Sequence, residues 1–247
     1  MGNLSSLFTR LLLMVLIFSS WMSLSCTEKK DNREDNPIDE PILVKDTIRY
    51  LALGDSYTIG QSVASVERYP RQLADSLDTA DFFVKDLEII ATTGWTTTRL
   101  IQELDDNPPG NDFDLVSLLI GVNNQFQSRP FSLYEEEFPN LLNRAINHAK
   151  GDRSKVFVLS IPDYAYTLYG QGTANPQIIS DKLDEYNAFA KSVCEAEDIP
   201  FFNITDISRE GLDRPELLAS DGLHPSGIMY AEWVALIYED VKKLLQN

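Results

Sequence analysis

Three polar residues of this chain have the types that nucleophilic acyl-transfer chemistry requires. Ser56 follows an apolar run that ends in Gly54-Asp55, and groups at the carboxyl end of a buried strand border the crevice of an α/β sheet. His224 lies in a loop near the C-terminus, and Asp221 precedes it by three residues. Across a tight turn Asp221 can accept a hydrogen bond from the imidazole Nδ1, which leaves Nε2 to take a hydroxyl proton. Since serine alone is a poor nucleophile, the pattern predicts an activated Ser56.

Each of these residues also has a purely structural interpretation. The turn at Asp55 and Ser56 could be a strand-to-helix connection in which either side chain is an N-cap. His224 could be a turn residue ahead of a helix that Ser226 caps. The other histidine of the chain, His148, lies near the end of a predicted helix, where a donor or cation interacts favourably with the helix dipole. We therefore predict a surface position at a helix end for His148.

Apolar strand-like runs alternate with longer amphipathic segments from about residue 46 onward, which is the pattern of a parallel sheet covered by helices. The predicted strands are 48–53, 84–92, 115–121, 155–161 and 200–204. The predicted helices are 68–77, 97–104, 133–150, 177–198 and 227–245. With the strand order 2-1-3-4-5, the end of the first strand borders the point at which the order reverses. Ser56 would then stand at the mouth of the crevice.

Four short blocks occur in order, the first three at the ends of predicted strands and the fourth near the end of the chain. They are Gly54-Asp55-Ser56, Gly94, Gly121-Val122-Asn123-Asn124 and Asp221-Gly222-Leu223-His224-Pro225. Together they resemble the four blocks of the SGNH (GDSL-type) hydrolases, and the match runs from about Ile48 to the C-terminus. The resemblance implies an esterase with a three-layer α/β/α sandwich and a mostly parallel five-stranded sheet, a flavodoxin-like fold.

The resemblance also assigns roles to individual residues. It implies Ser56 as the nucleophile, His224 as the base and Asp221 as the residue that orients the base. It further implies an oxyanion hole formed by the backbone N–H groups of Ser56 and Gly94 and by the side chain of Asn123. A donor aimed at the negative oxygen of a tetrahedral intermediate contributes about 3 to 4 kcal/mol in comparable sites.

The third block departs from the family pattern, which usually has aspartate at the position of Asn124. Since the oxyanion donor is the preceding Asn123, we expect catalysis to survive, with changed hydrogen bonding around that residue. The competing α/β-hydrolase elbow is disfavoured, because it requires a glycine two residues after the serine, where this chain has Thr58.

Loop side chains that follow the predicted strands are candidates for contacts with substrate. They are Tyr57, Trp95, Gln125, Phe126 and Tyr164. Aromatic side chains in loops can instead close the edges of a core.

Fold and triad do not choose the substrate, because the family includes lipases, lysophospholipases, thioesterases, aryl esterases and carbohydrate acetylesterases. We expect the deacylation of a glycan or of a small ester. A lysophospholipase or acyl thioesterase is the alternative, and an acyltransferase would use the same residues. A non-catalytic glycan-binding module is the alternative of a different class.

The charge balance bears on the partners. Twenty-one Lys and Arg residues against 38 Asp and Glu residues give a formal net charge of −17 and a pI near 4.4. Such a surface repels phosphate backbones, so we expect no nucleic-acid partner. The chain has only two histidines and two cysteines, and no glycine-rich phosphate loop follows the first predicted strand. We therefore expect neither a metal nor another cofactor.

Residues 1–26 have the composition of an export signal rather than of a folded element. Arg10 precedes the apolar run 11–18, which is too short to span a bilayer comfortably. The boundary before Cys26 resembles a bacterial lipoprotein signal, although Leu24 is one place nearer the cysteine than the leucine of that pattern. We expect Cys26 to be lipidated and to hold the protein to a bacterial membrane, facing the periplasm or the cell exterior. An ordinary cleaved signal or an uncleaved anchor is the alternative.

The segment 27–46 is charged and nearly free of apolar residues, so we predict a flexible tether. The hydrolase-like domain then spans 47–247. With Cys26 lipidated, Cys194 is the remaining thiol, and its position in an apolar helical pattern predicts a buried, unreactive side chain.

Overall fold

The computed structural model describes residues 45–78 and 82–246, and a five-stranded sheet lies at the centre of this part of the chain. Its strands are β1 (Asp46–Gly54), β2 (Phe82–Ala91), β3 (Leu115–Leu119), β4 (Val156–Leu159) and β5 (Phe201–Phe202). Their order is β2-β1-β3-β4-β5, and each neighbouring pair is parallel. The expected order 2-1-3-4-5 is confirmed, and the sheet is parallel throughout rather than mostly parallel.

Helices connect the strands and follow the last one. They are α1 (Ser56–Ile59), α2 (Tyr69–Asp78), α3 (Thr97–Asp106), α4 (Val122–Phe126), α5 (Phe131–His148), α6 (Leu168–Gln171), α7 (Pro176–Ala196), α8 (Thr205–Ser208) and α9 (Gly227–Gln246). Short 3-10 turns cover Arg153–Lys155, Tyr164–Tyr166 and Pro215–Leu217. All five predicted helices are present, whereas the four short ones were not predicted.

Aromatic contacts hold the helices in two groups. Tyr69 of α2 packs on Trp233 of α9, with ring centroids 6.1 Å apart. Tyr134 of α5 packs on Tyr186 of α7 at 4.5 Å, and α3 also contacts α5. Pairs of this kind add about 0.5–1.5 kcal/mol beyond the burial of their surface. The two groups form the outer layers of the expected α/β/α sandwich.

The strands are apolar because the sheet is covered. The last five residues of β1 and all of β3 and β4 are buried, which explains why these strands are continuous apolar runs. β4 ends earlier than predicted, because the backbone of Ile161 bonds the side chain of Asn187 instead of a neighbouring strand. Oδ1 of Asn187 accepts the Ile161 N–H at 2.7 Å, and Nδ2 of Asn187 donates to the Ile161 carbonyl at 3.0 Å.

The N-terminal predictions fall mainly on residues outside the described part. The predicted signal 1–26, Cys26 and the predicted tether up to residue 44 all lie there. At the other end of the predicted tether, Asp46 is the first residue of β1 and pairs with Phe82. Of the helices that the structure describes, none has the length and hydropathy needed to cross a bilayer.

Candidate active site

Ser56 stands where β1 turns into α1. β1 ends at Gly54, and the Asp55 side chain caps α1 by accepting a hydrogen bond from the backbone N–H of Tyr57 at 3.1 Å. Ser56 is the first residue of α1 and is 4% exposed. Asp55 is therefore the N-cap of α1, as the structural interpretation of this turn predicted. The turn that it caps places the neighbouring Ser56 at the carboxyl edge of the sheet.

The loop before α9 holds His224 against Asp221. Oδ2 of Asp221 lies 2.7 Å from Nδ1 of His224. Oδ1 of Asp221 accepts the backbone N–H groups of Leu223 at 2.9 Å and His224 at 3.0 Å. With Nδ1 donating to the carboxylate, Nε2 is the ring nitrogen that can accept a proton.

A fourth residue, Ser62, completes the surroundings of Asp221. Its hydroxyl donates to Oδ2 of Asp221 at 2.5 Å from a backbone with φ 68°. Burial alone would raise the pKa of the Asp221 carboxyl, but the hydrogen bonds from Ser62, His224 and Leu223 outweigh it and lower that pKa well below its ordinary value. Asp221 is therefore a stable anion next to the imidazole.

A cavity of about 230 Å³ has both Ser56 and His224 in its lining. Gly94 and Asn123 line the same cavity, so the four residues from the four sequence blocks come together at the carboxyl edge of the sheet. The remaining lining residues are Tyr57, Thr93, Val122, Phe126, Gln127, Tyr164 and Leu223. A hydroxyl, an imidazole and two potential oxyanion donors thus face one small space.

The two expected oxyanion donors beyond Ser56 have suitable surroundings. Gly94 has φ 85°, a backbone conformation that residues with a side chain rarely adopt. No atom lies within 4 Å of the position that a Cβ on Gly94 would take. Asn123 is 8% exposed and donates one Nδ2 hydrogen to the Trp95 carbonyl at 3.0 Å. The second hydrogen of this amide is therefore available to an oxygen in the cavity.

Three side chains at α4 tie its loop to the segment that carries Gly94. Besides Asn123, Gln127 donates to the Gly94 carbonyl at 2.9 Å. Asn124, fully buried, accepts the backbone N–H of Thr97 at 3.0 Å and donates from Nδ2 to the Thr97 hydroxyl at 2.6 Å. Asn124, at the position where the sequence resemblance implies aspartate, therefore uses both its amide oxygen and its amide nitrogen to bond Thr97, the residue that begins α3.

The predicted substrate contacts divide into two sets. Tyr57, Phe126 and Tyr164 line the cavity, and the ring of Tyr57 lies edge-on to His224 at 5.9 Å. Trp95 and Gln125 do not line it. Trp95 instead supplies the carbonyl that holds Asn123 and packs on the core, while Gln125 accepts the Tyr164 hydroxyl at 2.8 Å. Trp95 and Gln125 therefore each bond a residue of the cavity lining, Asn123 and Tyr164 respectively.

His148 ends α5 as expected, but the prediction of a surface position is wrong. The residue is 8% exposed, and Nδ1 contacts the Gly110 carbonyl at 3.1 Å and Oδ1 of Asn111 at 2.8 Å. Burial lowers the pKa of its imidazole. His148 fastens a loop to α5 and does not line the cavity.

Cys194 is a free cysteine, and it does not line the cavity. Cys194 is fully buried in α7, and burial raises the pKa of its thiol to about 12, so the group is unreactive as predicted. Within residues 45–78 and 82–246, no three His, Cys, Asp or Glu side chains are grouped as metal ligands would be.

Sequence reasoning missed Ser62, Thr93, Val122, Gln127 and Leu223. Ser62 bonds to Asp221 across a separation of 159 residues, and no motif indicates that pairing. Leu223 is inside the fourth block, so its place on the cavity wall could have been inferred from the block alone.

The model of the GDSL-like Lipase/Acylhydrolase family matches residues 52–232. No curated protein sequence matches the chain. Among solved structures, a variant of Axe2, an acetyl xylan esterase from Geobacillus stearothermophilus, has a TM-score of 0.61 at 17% identity, covering 81% of this chain and 97% of that chain.

Two further structures share the fold. The esterase EstA from Pseudoalteromonas sp., inhibited by monoethylphosphonate, has a TM-score of 0.55 at 18% identity and covers 82% of this chain and 100% of that chain. The lipase/acylhydrolase from Enterococcus faecalis has a TM-score of 0.54 at 24% identity, with 79% and 96% covered. At these levels of sequence identity, the similarity to the three solved structures shows a shared fold and nothing more.

Proposed function

Because the chain belongs to the GDSL-like lipase/acylhydrolase family, we propose that it hydrolyses carboxylic esters with Ser56 as nucleophile, His224 as base and Asp221 as the residue that orients the base. The family match confirms the resemblance drawn from the four sequence blocks, and with it the expectation of an esterase. The observation that carries the proposed triad is the 2.7 Å contact between Asp221 and an imidazole that lines one cavity with Ser56.

In the first half of the reaction, Oγ of Ser56 attacks the acyl carbon and its proton passes to Nε2 of His224. The carbonyl π bond becomes an oxyanion. When this intermediate collapses, the bond between the acyl carbon and the alcohol oxygen breaks, and His224 returns the proton to the leaving alcohol. The anionic Asp221 stabilises the imidazolium that exists between these two transfers.

The second half repeats the chemistry with water. His224 takes a proton from a water molecule, whose oxygen attacks the acyl-enzyme carbon. The bond to Oγ of Ser56 then breaks, the serine recovers its proton from His224, and the carboxylic acid leaves. In both halves the N–H groups of Ser56 and Gly94 and the free Nδ2 hydrogen of Asn123 would bind the oxyanion.

The size and lining of the cavity support a short acyl group as the part of the substrate that it binds. The volume is about 230 Å³, and Tyr57, Val122, Phe126 and Tyr164 form apolar walls. Such walls bind hydrocarbon, whereas a glycan alcohol can remain in solvent outside the opening. The acetyl xylan esterase among the structures with this fold agrees with deacylation of a glycan or small ester.

One observation favours the alternative of a lysophospholipase or acyl thioesterase. Phe126 is 44% exposed at the cavity, and its ring lies 5.7 Å from Tyr164 and 5.8 Å from Tyr169, which is 48% exposed. A longer acyl chain that leaves the cavity would meet this aromatic surface.

The location that goes with this function is also a proposal. An export signal over 1–26 and lipidation at Cys26 would place the domain outside the cytoplasm, held to a membrane only through its lipid anchor. The substrates would then be esters of the periplasm or the cell exterior, and the net charge of −17 disfavours nucleic acid as a partner.

A substrate panel tests the proposed function. The values of kcat/KM are compared for acetylated oligosaccharides, short-chain aryl esters, lysophospholipids and acyl thioesters, each with Ser56→Ala as the matched control. We expect the highest value for an acetylated sugar or a short-chain ester. Preference for lysophospholipid or thioester would select the alternative, and binding of glycan without turnover of any ester would support the non-catalytic module.

A further inference from the structure

Glu137 of α5 lies outside the cavity lining and yet is connected to the oxyanion region. Its carboxylate accepts the hydroxyl hydrogens of the first two residues of α3: Thr97 donates to Oε2, and Thr98 donates to Oε1 at 2.7 Å. The start of α3 carries the positive end of the helix dipole, so a carboxylate is favourable there. Glu137 is partly buried, and Thr97 is fully buried.

The backbone of Thr97 fixes the direction of the hydrogen bonds. Its N–H can only donate, so the atom of Asn124 that faces it at 3.0 Å is the amide oxygen. The other atom of that amide, Nδ2, therefore faces the Thr97 hydroxyl at 2.6 Å and donates to it. The single hydroxyl hydrogen of Thr97 is then left for Glu137. The side-chain hydrogen bonds therefore run in one direction: Asn124 donates to the Thr97 hydroxyl, and that hydroxyl donates to Glu137.

This chain of hydrogen bonds joins the two loops that carry the oxyanion donors. Asn124 directly follows Asn123, and Thr97 lies three residues after Gly94. α5 also contacts the start of the α4 loop one turn earlier, where a Cβ on Gly121 would lie 2.7 Å from the ring of Tyr134. One helix thus contacts both loops that line the oxyanion side of the cavity.

We propose that Glu137 is a positioning residue for this esterase: by accepting from Thr97, it holds Asn124 and so fixes the spacing between the Asn123 amide and the Gly94 N–H. The proposal rests on the proposed function, because it assigns these two groups to an oxyanion hole. It also explains why an amide rather than a carboxylate occupies position 124. With aspartate there, two carboxylates would compete for the single hydroxyl hydrogen of Thr97, and one of them would be left unsatisfied.

The first experiment separates positioning from binding. Glu137→Ala is expected to lower kcat for an activated short-chain ester about tenfold with KM within twofold, because the donors act on the transition state. Glu137→Gln is expected to recover most of the loss, since its amide oxygen can accept from Thr97. Glu136→Ala, an exposed neighbour on α5, is the matched control and should leave kcat unchanged. An unchanged kcat in Glu137→Ala, or no recovery in Glu137→Gln, would overturn the proposal.

The second experiment reverses the direction of the hydrogen bonds. Asn124→Asp alone is expected to lower kcat about tenfold. In the double variant Asn124→Asp with Glu137→Gln, the glutamine amide donates to Thr97 and the Thr97 hydroxyl donates to the new carboxylate. Every donor again has an acceptor, so kcat should return to within about threefold of the wild type. Losses that simply multiply in the double variant would overturn the proposal.

The same double-mutant cycle is measured in the free energy of unfolding, which does not depend on any reaction. In every kinetic measurement the residual turnover of Ser56→Ala is subtracted, so that only turnover that depends on Ser56 is compared. If the wild type shows no such turnover, the proposed function fails, while coupling in the unfolding free energy still tests the hydrogen-bond chain. If Ser56-dependent turnover is present and coupling is absent from both measurements, the positioning role fails and the proposed function stands.

Discussion

Oδ2 of Asp221 lies 2.7 Å from Nδ1 of His224. The contact selects one tautomer of the imidazole and one orientation of its ring, because Nδ1 must carry the hydrogen that it donates. The residue that accepts is a stable anion, since its own hydrogen bonds lower its pKa. This contact orients the imidazole through Nδ1, and under the proposed function the other ring nitrogen, Nε2, exchanges protons with Ser56 and the substrate.

The variant Asp221→Asn tests that relationship. The amide can present a donor to Nδ1 and stabilise the wrong tautomer, so we expect kcat to fall about 10³- to 10⁴-fold with KM changed little. Steady-state kinetics with an activated ester measure the effect. Asp213→Asn, an exposed carboxylate outside the site, is the control. A loss below tenfold in Asp221→Asn would mean that the imidazole is oriented by something else.

Ser62→Ala tests the role of the residue that the sequence did not indicate. Removing the 2.5 Å hydrogen bond should raise the pKa of Asp221, because a donor to its charged form is lost. Asp221 keeps its bonds to Leu223 and His224, so kcat/KM should fall by no more than about tenfold. NMR titration measures the pKa of the Asp221 carboxyl, and steady-state kinetics measure kcat/KM. A loss as large as that of Asp221→Asn would contradict this auxiliary role.

Asn123→Ala tests the oxyanion hole. Losing one donor to the developing negative charge should lower kcat by about 10²- to 10³-fold and leave KM within a few fold. Asn143→Ala, an exposed asparagine on α5, is the control for the substitution itself. An effect confined to KM would assign Asn123 to substrate binding rather than to transition-state stabilisation.

The buried carboxyl of Asp55 predicts a pH dependence of stability. Burial raises its pKa from 3.8 to about 7 in the folded protein, opposed only in part by hydrogen bonds such as that from Tyr57 N–H. The folded state therefore holds a proton between about pH 4 and 7 that the unfolded chain releases, and the free energy of unfolding falls as pH rises through this window. The expected contribution is roughly 4 kcal/mol.

Asp55→Asn isolates this contribution, because asparagine keeps an oxygen for the Tyr57 N–H and does not titrate. Urea unfolding of both proteins is measured at pH 4 and pH 8. Relative to the variant, the wild type should lose roughly 4 kcal/mol of unfolding free energy between these values. Parallel pH profiles would show that Asp55 is not held in its protonated form.

The sheet and the blocks of the site were predictable because each rests on local chemistry. Continuous apolar runs predicted buried parallel strands, and Ser56, Gly94, Asn123 and His224 each follow a strand or precede a helix in a recognisable block. The approach of Ser56, Gly94 and Asn123 to one cavity follows from strand order, since the carboxyl ends of parallel strands share one edge.

What the sequence did not indicate depends on partners far apart in the chain. Ser62 lies 159 residues before Asp221, and Glu137 lies 40 residues after Thr97. No periodicity connects such pairs, because side-chain hydrogen bonds of this kind depend on how helices are placed on the sheet. The burial of His148 was missed for the same reason, since the loop that covers it comes from residues 110–111.

The most direct test of the account is covalent labelling of the serine. The wild type and Ser56→Ala are treated with a fluorophosphonate, digested, and mapped by mass spectrometry, while hydrolysis of an activated ester is followed in parallel. We predict one adduct, on Ser56, formed as activity is lost, with neither label nor turnover in a folded Ser56→Ala protein. Undiminished hydrolysis by that variant, or an adduct on another residue that accompanies inactivation, would contradict the central claim.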